Sequence, residues 1–362
     1  VERVIVVGGG PAGAVAALVL ARRGVPVTVL EARTGPALKV GETLPSNLAP
    51  LLRHLGLEGL LADPGSHLRS QGNRSFWGSA VAAESPFLAN PYGEGWHVDR
   101  LKFEASLAEA AMAAGADWRW GARVERGMVL DAFVADATGR PARLARRFGA
   151  RRLRYDRLVG ISALLASPTP AEDTYTLVEA TPDGWWYSAL LADGRLAAAF
   201  LGDGDLLDRP LLAGDPGAWW SRLRQTEATR ERVEAYGYTG GSVQVLPAET
   251  SRLDRIEGDR WLAVGDAAVA YDPLSSYGVG SAMGSGFYAG HAIADLLAGR
   301  EDARLAYLDV MQRACDGCFE LQREAYSRER RWPEAPFWRR RQEAGYLVEV
   351  TASSDTAPAG TT

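Results

Sequence analysis

The stretch that most restricts the fold is "RVIVVGGGPAGAVAALVLARRGVPVTVLEAR", residues 3–33. It opens as a run of β-branched residues, turns at consecutive glycines, and continues through small and aliphatic residues. It then returns to a second β-branched run that ends at Glu31. A buried strand, a helix and a second, parallel strand account for that order. Gly8, Gly10 and Gly13 fit the spacing G-x-G-x-x-G. The first permits a tight turn, the second lets backbone approach a pyrophosphate, and the third lets helix and strand pack closely. Pro11 suits the first helical position, where its missing N–H costs nothing. The helix start offers free amides to phosphate, and Glu31 can accept hydrogen bonds from a ribose. Glycine spacing alone is a weak sign. Together with both strands, the helix and the terminal acid it specifies a dinucleotide site.

The pattern changes further along. "WHVDRLKFEASLAEAAMAAGA", residues 96–116, reads as a helix, and "AFVADATGR" as a strand and turn. Residues 155–247 carry strand-like runs. Among them "DTYTLVEATPDGWWYSALLADGRLAAAFLGD" reads as neighbouring strands turning at "ADGR". "GAWWSRLRQTEATRERVEAYG" reads as one amphipathic helix, and "RWLAVGDAAVAYDPLSSYGVGSAMGSGFYAGHAIADLLAG" as strand, loop and long helix. Nucleotide-binding features therefore appear early and late, with a β-rich segment between them. The last residues, "TASSDTAPAGTT", have the composition of a disordered tail.

Composition narrows the classes. Of 362 residues 47% are hydrophobic, and the net charge is −5 with no basic block, which argues against a nucleic-acid partner. No apolar run reaches the ~18 residues of a membrane span. The chain opens directly on a strand, without a basic region or cleavage site, so a cytoplasmic location is expected. Cys315 and Cys318 lie in a helical pattern with no second pair, and are read as reduced thiols rather than a metal site.

Three separated motifs, the Gly8–Gly13 fingerprint with Glu31, "DATGR", and "GDAAVAYDPLSSYGVG", resemble the FAD pattern of flavin monooxygenases of the hydroxybenzoate-hydroxylase fold. "GETLP", "GWWYSALL" and "DPLSSYGVGSA" are similar to the flavin-dependent halogenase superfamily, in a non-halogenating branch that includes the flavoproteins maturing tryptophylquinone enzymes. The resemblance covers roughly residues 1–300. It implies an α/β fold: a Rossmann-like FAD-binding domain of glutathione-reductase type with an inserted, mainly antiparallel β-sheet substrate domain and C-terminal helices. Residues 1–70, 96–154 and 248–300 would form the FAD domain, 71–95 and 155–247 the substrate domain, 301–350 a helical segment and 351–362 a tail. The resemblance also assigns residues. Asp266, after Gly265, would bond a ribityl hydroxyl. Arg33 and Arg100 would lie along the FAD chain. Pro273, Tyr277, Gly278 and Val279 would bring a helix start to the flavin ring, where its amides and dipole favour negative charge. Gly41 would allow close approach beside the ring, with Glu42, Thr43 and Ser276 as catalytic candidates. Ser46 could instead cap the following helix without chemistry.

Halogenases of this superfamily use a lysine a few dozen residues beyond the Gly-Glu-x-x-Pro loop. Here "LADPGSHLRSQGNRSFWGSA" has Arg69 and Arg74 but no lysine, and the chain's only lysines are Lys39 and Lys102. Arginine cannot readily release a proton in lysine's manner. The halogenase Trp-x-Trp-x-Ile-Pro signature is also altered, to Trp185-Trp186-Tyr187-Ser188-Ala189-Leu190. The expected activity is therefore oxygen transfer, through a flavin C4a-hydroperoxide, to an electron-rich indole or tryptophan-like ring. That ring is a small aromatic molecule or part of a peptide or protein. On one strand Trp185 and Tyr187 share a face and Trp186 looks the other way. These three, with Trp77 and His97, are the candidate substrate residues. FAD would be reduced by NAD(P)H directly or by a separate flavin reductase. Halogenation, or reduction of an isoprenoid by a saturase-like flavoprotein, are the alternatives.

Overall fold

The computed structural model describes residues 2–36, 41–87, 90–125, 131–343 and, for backbone only, 349–351. The opening motif is a parallel βαβ unit: Val4–Val7, the helix Pro11–Arg22, and Val27–Glu31. These strands lie inside a six-stranded sheet ordered Glu257–Gly258, Trp261–Ala263, Phe133–Asp136, Val4–Val7, Val27–Glu31, Asp117–Trp120. All its pairings are parallel except the outermost hairpin. Strands covered on both faces read as unbroken apolar runs, as "VIVV" does here.

The first helix is buried over most of its length because the late helix Gly278–Leu297 lies against it. Small residues set the spacing: a Cβ on Gly286 would sit 2.3 Å from the Ala12 carbonyl oxygen. Helices far apart in sequence, Pro11–Arg22 and Gly278–Leu297, therefore meet as one layer. Asp136 ends its strand buried, its oxygens accepting from the amides of Thr138, Leu144 and Ala145 and from the Thr138 hydroxyl. Four donors offset the burial of that carboxylate.

A second, seven-stranded sheet is ordered Gln244–Pro247, Leu158–Leu165, Leu196–Asp203, Gly184–Leu190, Tyr175–Thr181, Gly72–Phe76, Ala83–Pro86. It is antiparallel except where Gly72–Phe76 pairs in parallel with Tyr175–Thr181. One face packs on helices Pro216–Leu223 and Ala228–Ala235, the other on the C-terminal helices Asp302–Arg328 and Pro336–Gln342. The turn at "ADGR" joins two of the strands.

Three expectations need correction. Residues 96–98 are not helical; Gly95–Val98 is a strand, and the helix is Arg100–Ala113. Asp99 makes the change by accepting from the amides of Leu101 and Lys102, an N-cap that starts the helix there. The single helix expected at 217–237 is two. Glu179, reaching from its strand, accepts from the amides of Glu227, Ala228 and Thr229, so a second helix begins at that carboxylate. The 301–350 segment ends in a strand, Glu349–Thr351, paired with Arg152–Arg154. The rest of the expected tail lies outside the described residues, as does Lys39.

Candidate functional site

At the dinucleotide end, Gly8 has φ +108°, and a Cβ there would lie 2.2 Å from the Ala137 carbonyl oxygen. A Cβ on Gly13 would lie 1.9 Å from the Gly8 oxygen. Pro11 occupies the helix start, and no side chain caps it from Gly10. Its first amides thus remain directed at whatever approaches the turn. Glu31 accepts from the Gly9 amide (2.7 Å), the Arg33 amide (2.9 Å) and Arg33 Nε (3.1 Å). Burial raises its pKa, but the bonds from Arg33 and Gly9 outweigh that and hold it below the ordinary carboxylate value.

The late segment converges on the same place. Gly265, at φ +62°, brings its turn so close to the first helix that a Cβ would sit 2.6 Å from Ala12 Cβ. Its amide donates to Ser285 Oγ, which is 3.1 Å from the Tyr307 hydroxyl. The Asp266 side chain is 37% exposed and 3.9 Å from Arg140 Nε. Pro273–Ser275 forms a short helical turn, Ser276 takes a left-handed φ of +53°, and the helix begins at Gly278 with no side-chain cap from Tyr277. A non-glycine residue held at positive φ is a strained turn that re-aims the chain, here so that Val279 and its neighbours start the helix Gly278–Leu297. The Tyr277 hydroxyl is 3.4 Å from Asn47 Nδ2.

The Gly-Glu-Thr-Leu-Pro loop leads into the turn that meets this helix, where a Cβ on Gly280 would lie 3.7 Å from Leu48 Cδ1. Gly41 has φ +93°, and its carbonyl accepts from Arg100 Nη1 at 2.8 Å. Arg100 also bonds Glu104. Ser46 does not cap the next helix with its side chain, and its short turn follows Pro45 directly. Glu42 is buried, accepts from the Gly41 amide, and is bonded to Tyr187. Burial raises its pKa against the opposing charge of Arg100. Thr43 Oγ1 is 2.8 Å from the Tyr187 hydroxyl and 3.3 Å from Thr176 Oγ1, which is 2.8 Å from His97 Nε2. His97 Nδ1 is 2.9 Å from the Leu190 carbonyl, so the ring donates there and accepts from Thr176. Burial pushes its pKa down to about 4 and keeps it neutral. The five groups form one buried hydrogen-bonded row. Glu42, Arg100 and Lys102 also line a cavity of about 210 Å³.

Trp185 and Tyr187 share a face and Trp186 takes the other, but their surroundings differ. Trp186 is fully buried against Trp219 and Phe200. Trp185 is 1% exposed; its Nε1 donates to the Tyr326 hydroxyl, and its ring meets Trp77 edge-on at 6.3 Å. Tyr326 donates to Asp272, which also accepts from Gln322 and the Leu274 amide. Sequence reading passed over Asp272, Tyr326 and Thr176. Asp272 stood inside the quoted "YDPLSS" motif and was legible there. Tyr326 and Thr176 carry no local signal.

The residues fit FAD on structural grounds: a side-chain-free turn under a helix start, an acid at the second strand end, and a late helix, itself uncapped at its start, packed by Gly286 against Ala12 of the first. Among the described residues no cluster of His, Cys, Asp or Glu is arranged to hold a metal, and no helix is long and apolar enough to cross a membrane. The fold and these features make the chain an FAD-dependent oxidoreductase that fits the flavin-dependent monooxygenase and halogenase superfamily, and residues 2–160 match the FAD binding domain family. Over 357 residues the chain is 29% identical to the FAD-dependent oxidoreductase LodB of Marinomonas mediterranea, covering 93% of this chain and 96% of that one. Among solved structures it is similar to the peptidyl tryptophan dihydroxylase QhpG, with TM-score 0.76, 28% identity, and coverage of 94% of this chain and 78% of that one. It shares its fold with the flavin-dependent halogenase CmlS, with TM-score 0.83 and 23% identity over 95% of this chain and 68% of that one.

One prediction concerns Asp266. Asp266→Ala should weaken FAD binding by about 1–3 kcal/mol, the cost of leaving a charge-assisted hydrogen bond unmade. Titrating apoprotein with FAD and following flavin fluorescence measures it, and unchanged affinity removes Asp266 from the site.

Proposed function

We propose that this protein is an FAD-dependent monooxygenase that hydroxylates an electron-rich aromatic ring, the indole of a tryptophan carried by a peptide or protein. The observation that carries this reading is the near-full-length likeness to QhpG, a peptidyl tryptophan dihydroxylase, at 28% identity. The lysine pattern supports oxygen transfer over halogenation. Lys102 donates to Ser66 Oγ at 2.7 Å, and Arg74 is bound by Glu84 and Asp173. Bound FAD, once reduced by NAD(P)H or by a separate flavin reductase, supplies the activation of O₂. The chain's own residues hold and orient. The amides opening the Gly278–Leu297 helix favour negative charge beside them. Glu42, raised in pKa, holds or passes a proton at its carboxyl through Tyr187 and Thr43.

The test supplies reduced FAD, O₂, bromide and chloride with free indoles, phenols and tryptophan-containing peptides. Mass spectrometry should show gains of oxygen only, and a gain on peptides that free tryptophan does not give. A halogenated product defeats the argument from lysine. Reduction of an added isoprenoid without oxygen incorporation would favour the saturase reading.

A further inference from the structure

The fingerprint needs glycine at positions 8, 10 and 13, yet position 9 is glycine too. The structure supplies a reason. A Cβ on Gly9 would lie 2.5 Å from Cζ2 of Trp118 and 3.2 Å from Glu31 Oε2. The indole edge therefore lies across the turn, beside the carboxylate at the end of the second strand. Trp118 comes from the outermost strand of the six, Asp117–Trp120, in register with Val29, while Glu31 is in register with Trp120. Paired residues of parallel strands share a face, and so do residues two apart. Val29, Glu31, Trp118 and Trp120 thus form one patch, and the two indoles meet at 5.5 Å, tilted by 47°.

The Trp118 Nε1 atom is buried and has no acceptor among the described residues. A buried indole N–H normally finds a partner, and leaving one unmade is costly. Glu31 is not its partner: the bonds made by the Glu31 oxygens within the chain are to Gly9 and Arg33, and lone pairs remain on them for a ligand. The orphan donor sits where a dinucleotide's ribose is read by the second-strand acid.

We propose that Trp118 is a cofactor-binding residue of the adenosine half of the site, its indole N–H donating to a lone pair of the bound adenosine. Gly9 is side-chain-free so that the indole can lie there. Indole is a donor only, whereas Glu31 is an acceptor only. The pair thus reads complementary atoms of one nucleoside, and the preference it builds is for FAD over FMN. This rests on the FAD assignment, and the two are separated by testing the halves of the cofactor on apoprotein.

The experiment measures ADP and FMN binding by calorimetry, for the unaltered protein and for Trp118→Phe, which keeps a ring but removes the N–H. ADP binding should weaken about 3–10-fold, the equivalent of one lost hydrogen bond, with FMN binding unchanged. In the unaltered protein, labelled with ¹⁵N-tryptophan, ADP should shift the Trp118 indole N–H resonance, assigned by its loss in the variant. Gly9→Ala, which crowds the indole, should reproduce the loss of ADP affinity. Equal ADP affinity in Trp118→Phe, or equal weakening of ADP and FMN, overturns the proposal, as does an indole resonance that ADP leaves in place. Failure of the unaltered protein to bind either ligand would instead overturn the FAD reading.

Discussion

Trp338→Ala should destabilise the protein by about 3–5 kcal/mol, the range for removing a large aromatic from a packed core. Trp338 is 0% exposed although it sits on the short helix Pro336–Gln342, which little else in its own sequence would stabilise. Its ring lies 5.2 Å from Trp77, 6.0 Å from Tyr326 and 6.2 Å from Trp332, and Nε1 donates to the Thr181 carbonyl at 2.8 Å. Truncation leaves a cavity and removes that hydrogen bond together. The same helix is held by Arg340 and Arg341, both paired with Asp203. Because it covers the face of the second sheet that bears Trp185, its loss should loosen that strand as well. Urea unfolding measures the effect, with hydrogen exchange at 184–190 as the local readout. A change below 1 kcal/mol would mean that the helix is not part of the cooperative core.

Asp272→Asn should change how stability depends on pH. Burial, and next the nearby charge of Asp156, push the Asp272 carboxyl up to about 6, against the bonds from Leu274 and Tyr326 that favour its ionised form. Its folded pKa is above the unfolded value of about 3.9, so between those pH values the folded state binds more protons. The stability contributed by this group is therefore greatest below about pH 4 and is lost as pH rises through about 6. Some two pH units correspond to about 3 kcal/mol. His97 has the opposite sign: its folded pKa of about 4 lies below the ordinary 6.5, so its contribution grows over nearly the same interval. In the unaltered protein the two oppose one another. The asparagine variant should gain stability relative to the unaltered protein by about 3 kcal/mol between pH 4 and pH 7. Denaturation midpoints across that range decide it, and a constant difference would mean that Asp272 does not titrate there.

The FAD-binding part was legible because its signals are local. A β-branched run, three spaced glycines and a terminal acid each act within a few residues of one another, and steric limits on Cβ at Gly8 and Gly13 leave few alternatives. The alternation of Trp185, Trp186 and Tyr187 was equally legible, since strand geometry alone fixes it. What each of their faces packs against was not, and both meet a packed core. Trp185 lies against Tyr326, 141 residues away, and Trp186 against Trp219.

The element boundaries that sequence reading missed share a cause. Asp99 and Glu179 decide where helices begin, and Glu179 does so from a strand about fifty residues upstream, so no helical periodicity around residue 227 records it. The sequence by itself determined the dinucleotide turn, the small-residue helices and the two-sided tryptophan strand, because each follows from backbone sterics and short-range spacing. Only the tertiary structure decided that Glu42, Tyr187, Thr43, Thr176 and His97 form one row, and that Trp118 lies over Gly9. Those contacts join separate strands, and burial, which sets the pKa of Glu42 and His97, is a property of the assembled layers rather than of any segment.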